Sequence, residues 1–265
     1  MSSRCAERTL AALAVALATV GAQAAEPEAL RVCADPDNLP LSHHERGGYE
    51  IDLARVLAEA AGMRLQIVWQ PLQRGLVRKS IGTGRCDVLI GLPAGYAGVA
   101  TTRPYLRAGY VFVTRRADPA PLASFDDPRI AALRIGVQLP GDDGAATPPG
   151  HALVRAGALQ HVHGEPLQGH PPSAQRLAAA VARGTLDAAV VWGPQVGWFA
   201  AQSTPALRVT PAMAPAALPN LPFEYDIALG VRPGDGALLQ RLQAALDANR
   251  ERIEAVLAAW SVPRR

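Results

Sequence analysis

The hydrophobic pattern switches between two periods along most of the chain. Leu30 to Asp35 is a short apolar run that stops at Pro36 and reads as a strand. From Ile51 to Ala61 the apolar residues Ile51, Ala54, Val56, Leu57 and Ala61 recur close to helical spacing, and Gly62 ends the segment. Leu65 to Trp69 predicts a second strand. Arg74 to Ile81 predicts a second helix, stopped by Gly82-Thr83-Gly84. Cys86 to Leu92 is a third strand, wholly apolar after Asp87, which suits a strand covered on both faces. Tyr110 to Thr114 is a fourth, and the polar stretch Arg115 to Pro119 reads as a crossover.

The pattern then repeats. Leu133 to Leu139 is a strand, His151 to Ala158 a helix, Gln160 to His163 a short strand, Ala174 to Ala182 a helix ended by Gly184, and Leu186 to Trp192 an apolar strand. Gly197 to Gln202 predicts a short helix, and Arg208 to Met213 leads into a Pro-rich bend through Pro222. Tyr225 to Val231 is one more strand. Asp235 to Trp260 is a long amphipathic segment with Leu238, Leu242, Leu246, Ile253, Val256, Leu257 and Trp260 on one side. Strands alternating with helices imply an α/β fold with parallel sheets, here built as two similar units. Ligands in such sheets sit beyond the carboxyl ends of the strands. The loops that matter are therefore Asp35–Leu41, Leu92–Tyr105, Leu139–Thr147 and Trp192–Gln195.

The two ends and the composition set the compartment. Arg4 and Arg8 precede the apolar run Leu10 to Val20, and Ala22-Gln23-Ala24 offers a small-x-small cleavage site. The run is shorter than the roughly 20 residues needed to span a bilayer. Residues 1–24 thus read as a cleaved signal peptide, with a mature chain beginning near Ala25 and exported to the periplasm. The roughly 240 remaining residues suit two lobes of about 100 each. The net charge of +3 is small and not clustered into a stripe, which argues against nucleic acid. No other segment could span a membrane.

Cys33 and Cys86 remain after processing, and in an oxidising compartment a pair invites a disulfide. Geometry argues the other way. On neighbouring parallel strands an offset of three or four residues is about 10–13 Å, beyond disulfide reach. A bridge and two separately buried thiols both stay open.

The closing stretch YDIALGVRPGD (225–235), followed by a long helix to Trp260, resembles the return strand and last helix of type 2 periplasmic solute-binding proteins of ABC importers, in their amino-acid-binding branch. That resemblance implies one lobe of residues 25–115 plus 224–265, a second of 116–223, and a hinge of two crossing strands. A narrower resemblance rests on words in fixed order: RVCADPDNLP (31–40), GRCDV (84–88), GLPAG (91–95), TTRPY (101–105), YVFVT (110–114) and VVWGP (190–194). They are similar to solute-binding-like accessory proteins of PQQ-dependent (quinoprotein) methanol dehydrogenase systems, some of which use a lanthanide dehydrogenase. The resemblance implies a monomeric periplasmic accessory whose partner is a PQQ-dependent alcohol dehydrogenase or its cytochrome c partner.

Departures from the amino-acid-binding relatives bear on the cleft. Those relatives hold the ligand carboxylate with an arginine after the third strand; Ala94 to Val99 contains none, and Arg103 comes later. Trp192 stands where they carry an aspartate for the ligand ammonium. Asp142 and Asp143 stand where they carry a Gly/Thr/Ser-rich cradle, and two carboxylates there repel an anion. Losing the arginine removes a bidentate clamp.

Candidate site residues follow from position. Asp35 and Asn38 follow the first strand, although Asp-Pro-Asp-Asn is also a good turn by itself. Trp192, Gly193, Tyr96 and Tyr225 offer ring area and backbone at strand ends; Trp198, on a helix, fits core packing better. Arg74 and Arg103 are candidates for an anion, against the plainer reading of surface or hinge ion pairs. His161, His163 and His170 with Glu165 lie in a loop-like, Pro-rich stretch without the three or four converging ligands a transition metal needs. Asp142 and Asp143 lack the alternating acids of a calcium loop. No metal or cofactor is called for. The sequence has no GxSxG elbow, phosphate loop, HExxH or Cys-His pairing, and therefore reads as a non-enzyme. Two functions remain: the accessory role, and the substrate-binding component of an ABC importer for PQQ, a metal chelate or an aromatic acid.

Overall fold

A computed structural model describes residues 26–71, 75–140 and 146–264. The predicted signal peptide, Arg74 and the Asp142-Asp143 pair lie outside the described residues. In chain order the elements are strands β1 (Ala29–Ala34), β2 (Asp37–Asn38) and β3 (Ser42–His43), helix α1 (Tyr49–Ala60), β4 (Arg64–Trp69), α2 (Leu76–Lys79), β5 (Val88–Pro93), β6 (Ala100–Thr101) and β7 (Leu106–Arg115). There follow β8 (Ile135–Leu139), α3 (Pro148–Arg155), β9 (Val162–Pro166), α4 (Ser173–Ala182), β10 (Ala188–Trp192), α5 (Gly193–Ala201), β11 (Leu207–Pro211), β12 (Glu224–Val231), α6 (Gly236–Ala248) and α7 (Arg250–Ala259).

The main sheet runs β4-β1-β5-β12-β7-β10-β8-β9, with β6 beside β12 and β11 beside β7. Its two flanks are parallel: β1 with β4 and β5, and β8 with β9 and β10. Antiparallel β12 and β7 join them. Strand β7 is ten residues long, twice the expected run. Its first four residues pair with β12, and from Tyr110 onward it lies between β10 and β11. Tyr110 is therefore where the chain passes from one parallel flank to the other.

Each flank has its own core. Helices α1, α6 and α7 bury Leu53, Leu57, Leu242, Leu246, Ile253 and Leu257 against Leu30, Val88, Ile90, Leu229 and Val231. Helices α4 and α5 cover one face of the other flank with Leu177, Val181 and Val196, and Phe112, Phe125, Ile135 and Leu153 fill its opposite face. Leu39, from the loop after β1, is 1% exposed and packs into the α4–α5 core. That contact carries the first flank onto the second.

The two parallel flanks share one clamp at the amino ends of their strands. On β1, the Arg31 guanidinium donates to Asp87 at 3.0 and 2.6 Å and to the Gly84 carbonyl at 2.9 Å, while the Arg31 backbone N–H donates to the same carboxylate. At the start of β8, Arg134 repeats this with Asp187 (3.0 and 2.7 Å), the Gly184 carbonyl (2.8 Å) and its own backbone N–H (2.9 Å).

Four details differ from the sequence expectation. Cys33 and Cys86 form a disulfide, with Cα atoms 5.6 Å apart, inside the usual range. The distance argument against it assumed that Cys86 opens its strand. Instead β5 starts at Val88, Cys33 lies level with Leu89, and the chain brings Cys86 in over β1 from the 3₁₀ turn Ile81–Thr83. His161 ends a 3₁₀ turn and His163 sits on β9, so the two do not share a strand face. Helix α5 begins at Gly193, four residues early, because proline is tolerated in a first helical turn. The closing helix breaks at Asn249, whose φ of −122° is not helical and whose side-chain amide donates to the Ala245 carbonyl, competing with the helix backbone.

Candidate functional site

The carboxyl ends of β1 and β5 open into a pocket of about 120 Å³. Its walls are apolar: Cys33, Leu41, Leu76, Leu89, Ile90 and Leu92. Its polar groups are Asp35, Asn38, Ser42, Glu50 and Gln70. Asp35 is half-buried and accepts from the Asp37 backbone N–H at 2.8 Å, a turn bond that orients the loop. Glu50 is in the first turn of α1, whose buried face brings it under the strand ends. Gly91 makes room for it. At φ +82°, a Cβ on residue 91 would lie 2.4 Å from Glu50 Oε1. Burial first, and the Asp35 charge second, push the Glu50 carboxyl up to about 8. The flanking Tyr49 and Tyr105 phenols are pushed well up by burial, and further by Glu50. Ser42 is 1% exposed, and its Oγ is buried with no hydrogen-bond partner among the described residues.

The carboxyl ends of β8 and β10 are built differently. Gln138 is 2% exposed and fills that end itself. Its amide nitrogen donates to Ser173 Oγ (2.9 Å) and Gln195 Oε1 (2.7 Å), and its amide oxygen accepts the Trp192 backbone N–H (2.9 Å). Thr147 Oγ1 donates to the Gln138 carbonyl at 3.1 Å. The N–H at the head of α5 is thus satisfied by protein.

Between the two ends stands a ring cluster. Trp192, on β10, meets Tyr110 of β7 at 5.4 Å and Tyr225 of β12 at 5.7 Å, both edge-to-face. Burial raises both phenols, that of Tyr110 with a further contribution from Tyr225. Gly193 follows Trp192 where the strand meets α5; a Cβ there would lie 2.8 Å from the Gly109 carbonyl. At the rim, Asp37 joins the first loop to the segment after β9: its Oδ2 accepts from His170 Nδ1 at 2.7 Å. His43 Nδ1 accepts the Glu45 and Arg46 N–H groups, so its Nε2 carries the proton that faces Asp37 at 3.8 Å.

The predicted site residues therefore fall into groups. Asp35 and Asn38 share the β1–β5 pocket. Trp192, Gly193 and Tyr225 gather at the β10–β12 junction. Tyr96 is 45% exposed in the turn after β5 and takes no part in the ring cluster. Arg103 is held on α6, by an ion pair with Asp247 and by its backbone N–H to Gln243 at 2.7 Å. Trp198 packs on Phe199 and Trp260, away from Trp192. Arg74 and Asp142 lie outside the described residues. Among the described residues, no group of three or more His, Cys, Asp or Glu converges to hold a metal ion. Nor is any described helix long and apolar enough to cross a membrane.

Sequence reasoning missed Glu50, Ser42 and Gln138. Two of them carried a signal. Glu50 shares the α1 stripe of Leu53, Ala54 and Leu57, and Gln138 interrupts a strand buried on both faces.

The fold has two parallel flanks joined by β7 and β12, and over residues 30–261 the amino-acid sequence itself matches the profile of bacterial extracellular solute-binding proteins, family 3. The chain belongs to this family. It is 34% identical to Protein MoxJ of Methylorubrum extorquens, over 91% of this chain and 84% of that one. The crystal structure of the periplasmic binding protein XoxJ from Methylobacterium extorquens AM1 superposes with a TM-score of 0.73 at 30% identity, over 89% of this chain and 99% of that one. That of MxaJ from Methlophaga aminisulfidivorans MPT gives 0.77 at 22% identity, over 89% and 100%. The fold is the type 2 periplasmic-binding-protein fold. The narrower resemblance carried by the sequence words is borne out by these relatives.

Proposed function

We propose that the protein is a periplasmic, non-enzymatic accessory of a PQQ-dependent methanol or alcohol dehydrogenase system. It engages the dehydrogenase, or a factor that matures it, through the cleft between two lobes. The lobes are residues 25–115 with 224–265, and 116–223, and they move by hinge closure where β7 and the entry to β12 cross. Residues 1–24 direct export and are removed. The disulfide supports an oxidising compartment.

One observation carries the reading beyond family membership. Gln138 occupies the cleft end of the second lobe and satisfies the Trp192 N–H, the group that would otherwise meet a ligand. A free amino acid would have to displace three hydrogen bonds of that buried side chain. The scaffold fits a partner surface better than the ligands of the amino-acid branch. The test is co-purification of the tagged mature protein with the apo-dehydrogenase, alongside dehydrogenase activity in a deletion strain. Capture together with lost activity supports the role. No capture and unchanged activity overturn it.

The acid-lined pocket favours a second reading, the binding component of an importer for a small ligand that is not an amino acid. Its roughly 120 Å³ is below the ~300 Å³ at which pockets for drug-sized molecules begin. A ligand selective for the folded state raises the melting temperature. A flat thermal-shift panel of PQQ, metal chelates and aromatic acids removes this reading.

A further inference from the structure

We propose that the closing segment Trp260–Pro263 is a clasp that fixes the angle between the two lobes, so that the cleft changes its opening only when this segment lets go of helix α5.

Three observations point there. Trp260 packs on the cores of both flanks. Its indole N–H donates to Asp52 of α1 at 2.8 Å, and its ring lies 5.7 Å from that of Trp198 on α5. Next, the chain leaves α7 through a Schellman turn: the Val262 N–H donates to the Leu257 carbonyl and the Ser261 N–H to the Ala258 carbonyl, both at 2.9 Å. The left-handed position of such a turn favours glycine, yet Ser261 holds it at φ +51°, the one non-glycine residue with a positive φ among the described residues. Finally, α5 presents two glycines four residues apart, which share one face. A Cβ on residue 197 would overlap the Ser261 carbonyl oxygen and crowd the Pro263 ring; one on residue 193 would lie 3.6 Å from Pro263 Cβ.

Glycine inside a helix and a serine in the left-handed region are each locally unfavourable. Here both occur at one contact, and both let the closing segment lie directly on the α5 backbone. The contact sits beside the crossing point of β7: Pro263 and Arg264 border Gly109, Val111 and Pro211, and Tyr110 between them is where the chain changes flanks. Turning the second lobe about that point drags α5 across a segment that Trp260 anchors to α1. Side chains packed this closely do not deform smoothly, and such contacts switch between discrete arrangements. The clasp therefore has two states, seated and released.

The inference rests on the two-lobe reading above, but its test needs no dehydrogenase, so failure of the clasp and failure of capture are separate results. Spin labels go on Ala97→Cys, in the exposed turn after β5, and Gln168→Cys, exposed after β9. They report the distance across the cleft mouth by pulsed electron double resonance on the mature protein, with Cys33 and Cys86 left bonded. The parent should show one dominant distance, with any second one below about a tenth of the molecules. Gly197→Ala pushes the Ser261 carbonyl away, and alanine favours helix over glycine, so α5 itself is not weakened. A second distance should then rise above about half of the molecules. Trp198→Ala removes the ring contact and should act in the same direction, above about a tenth. Ser261→Gly keeps the carbonyl, suits the positive φ and should keep the parent's distance. A parent already spread over two comparable distances, a folded Gly197→Ala protein with the parent's single distance, or a shifted Ser261→Gly overturns the proposal. If Gly197→Ala fails to fold, Trp198→Ala decides it, and the parent's single distance in that variant overturns the clasp.

Discussion

The two parallel flanks of this protein begin alike and end differently. At the amino ends of their strands, Arg31 with Asp87 and Arg134 with Asp187 make the same clamp, down to the backbone N–H and a glycine carbonyl. At the carboxyl ends the likeness stops. The β8–β10 end is closed by Gln138, whose amide meets Ser173, Gln195 and the Trp192 N–H. The β1–β5 end holds a half-buried acid and an orphan hydroxyl. The clamp belongs to the shared scaffold, since it recurs in both flanks. The carboxyl ends are where the two units differ, and among the described residues the buried hydroxyl without a partner at a strand end belongs to the β1–β5 end.

Breaking the first flank's own staple should have the largest effect. The Cys33–Cys86 bridge spans a sequence separation of 53, and cross-links closing loops of that size are worth about 4 kcal/mol in the chain-entropy account. The double variant Cys33→Ser/Cys86→Ser should lose about that much in urea unfolding; the second flank has no counterpart among the described residues.

Next comes the contrast between the carboxyl ends themselves. Gln138→Leu strands the Trp192 N–H, Ser173 Oγ and the Gln195 carbonyl, and should cost about 2–4 kcal/mol. Ser42→Ala removes a hydroxyl that lacks a partner among the described residues, and should be neutral or stabilising by less than about 1 kcal/mol. Opposite signs in chemical denaturation sharpen the comparison; a large loss for Ser42→Ala breaks it.

The pH dependence of stability should single out Glu50. Its folded value, about 8, lies above the 4.5 of an ordinary glutamate. In the window between them the folded state holds a proton that the unfolded state has lost, so the Glu50 contribution declines as pH rises from about 4.5 to 8 and is flat above. Glu50→Gln should remove that slope and be more stable than the parent at pH 9. A parent curve that rises through this window contradicts the buried-acid description.

How far the sequence reached follows the length of its patterns. Most strands and helices of five or more residues announced themselves by period, which is why the repeated strand–helix units were legible; β11 and the first half of β7 did not. Strands of two residues, such as β2, β3 and β6, have no period to read. The break at Asn249 was hidden because Leu242, Leu246, Ile253 and Leu257 keep one helical phase through it. Asp35, Asn38, Trp192 and Tyr225 were legible as site candidates because topology alone fixes where strands end. Glu50 was not, since an acid in a first helical turn reads equally as a dipole partner. Only tertiary packing brings it beneath β5. The disulfide stayed open for a related reason: strand register predicts distances along a strand, and Cys86 lies before β5 begins.

The smallest effect tests the half of the comparison in which the flanks agree. Asp87→Asn and Asp187→Asn each leave an arginine on the surface and a backbone N–H with a weaker acceptor. For Asp87, burial pushes the carboxyl up, but the Arg31 hydrogen bonds and charge outweigh it and the value falls below 3.8. For Asp187, the Arg134 hydrogen bond is the largest influence and also lowers it. A depressed folded value stabilises above the unfolded pKa, and that contribution is lost as pH falls through the folded one. Both variants should cost about 1 kcal/mol at pH 7, near the upper end for exposed pairs because the contact is bidentate. Both should converge with the parent as pH falls through the lowered folded values of the two carboxylates. If one variant is silent while the other is not, the clamps are alike in geometry only, and the shared scaffold is held by one flank.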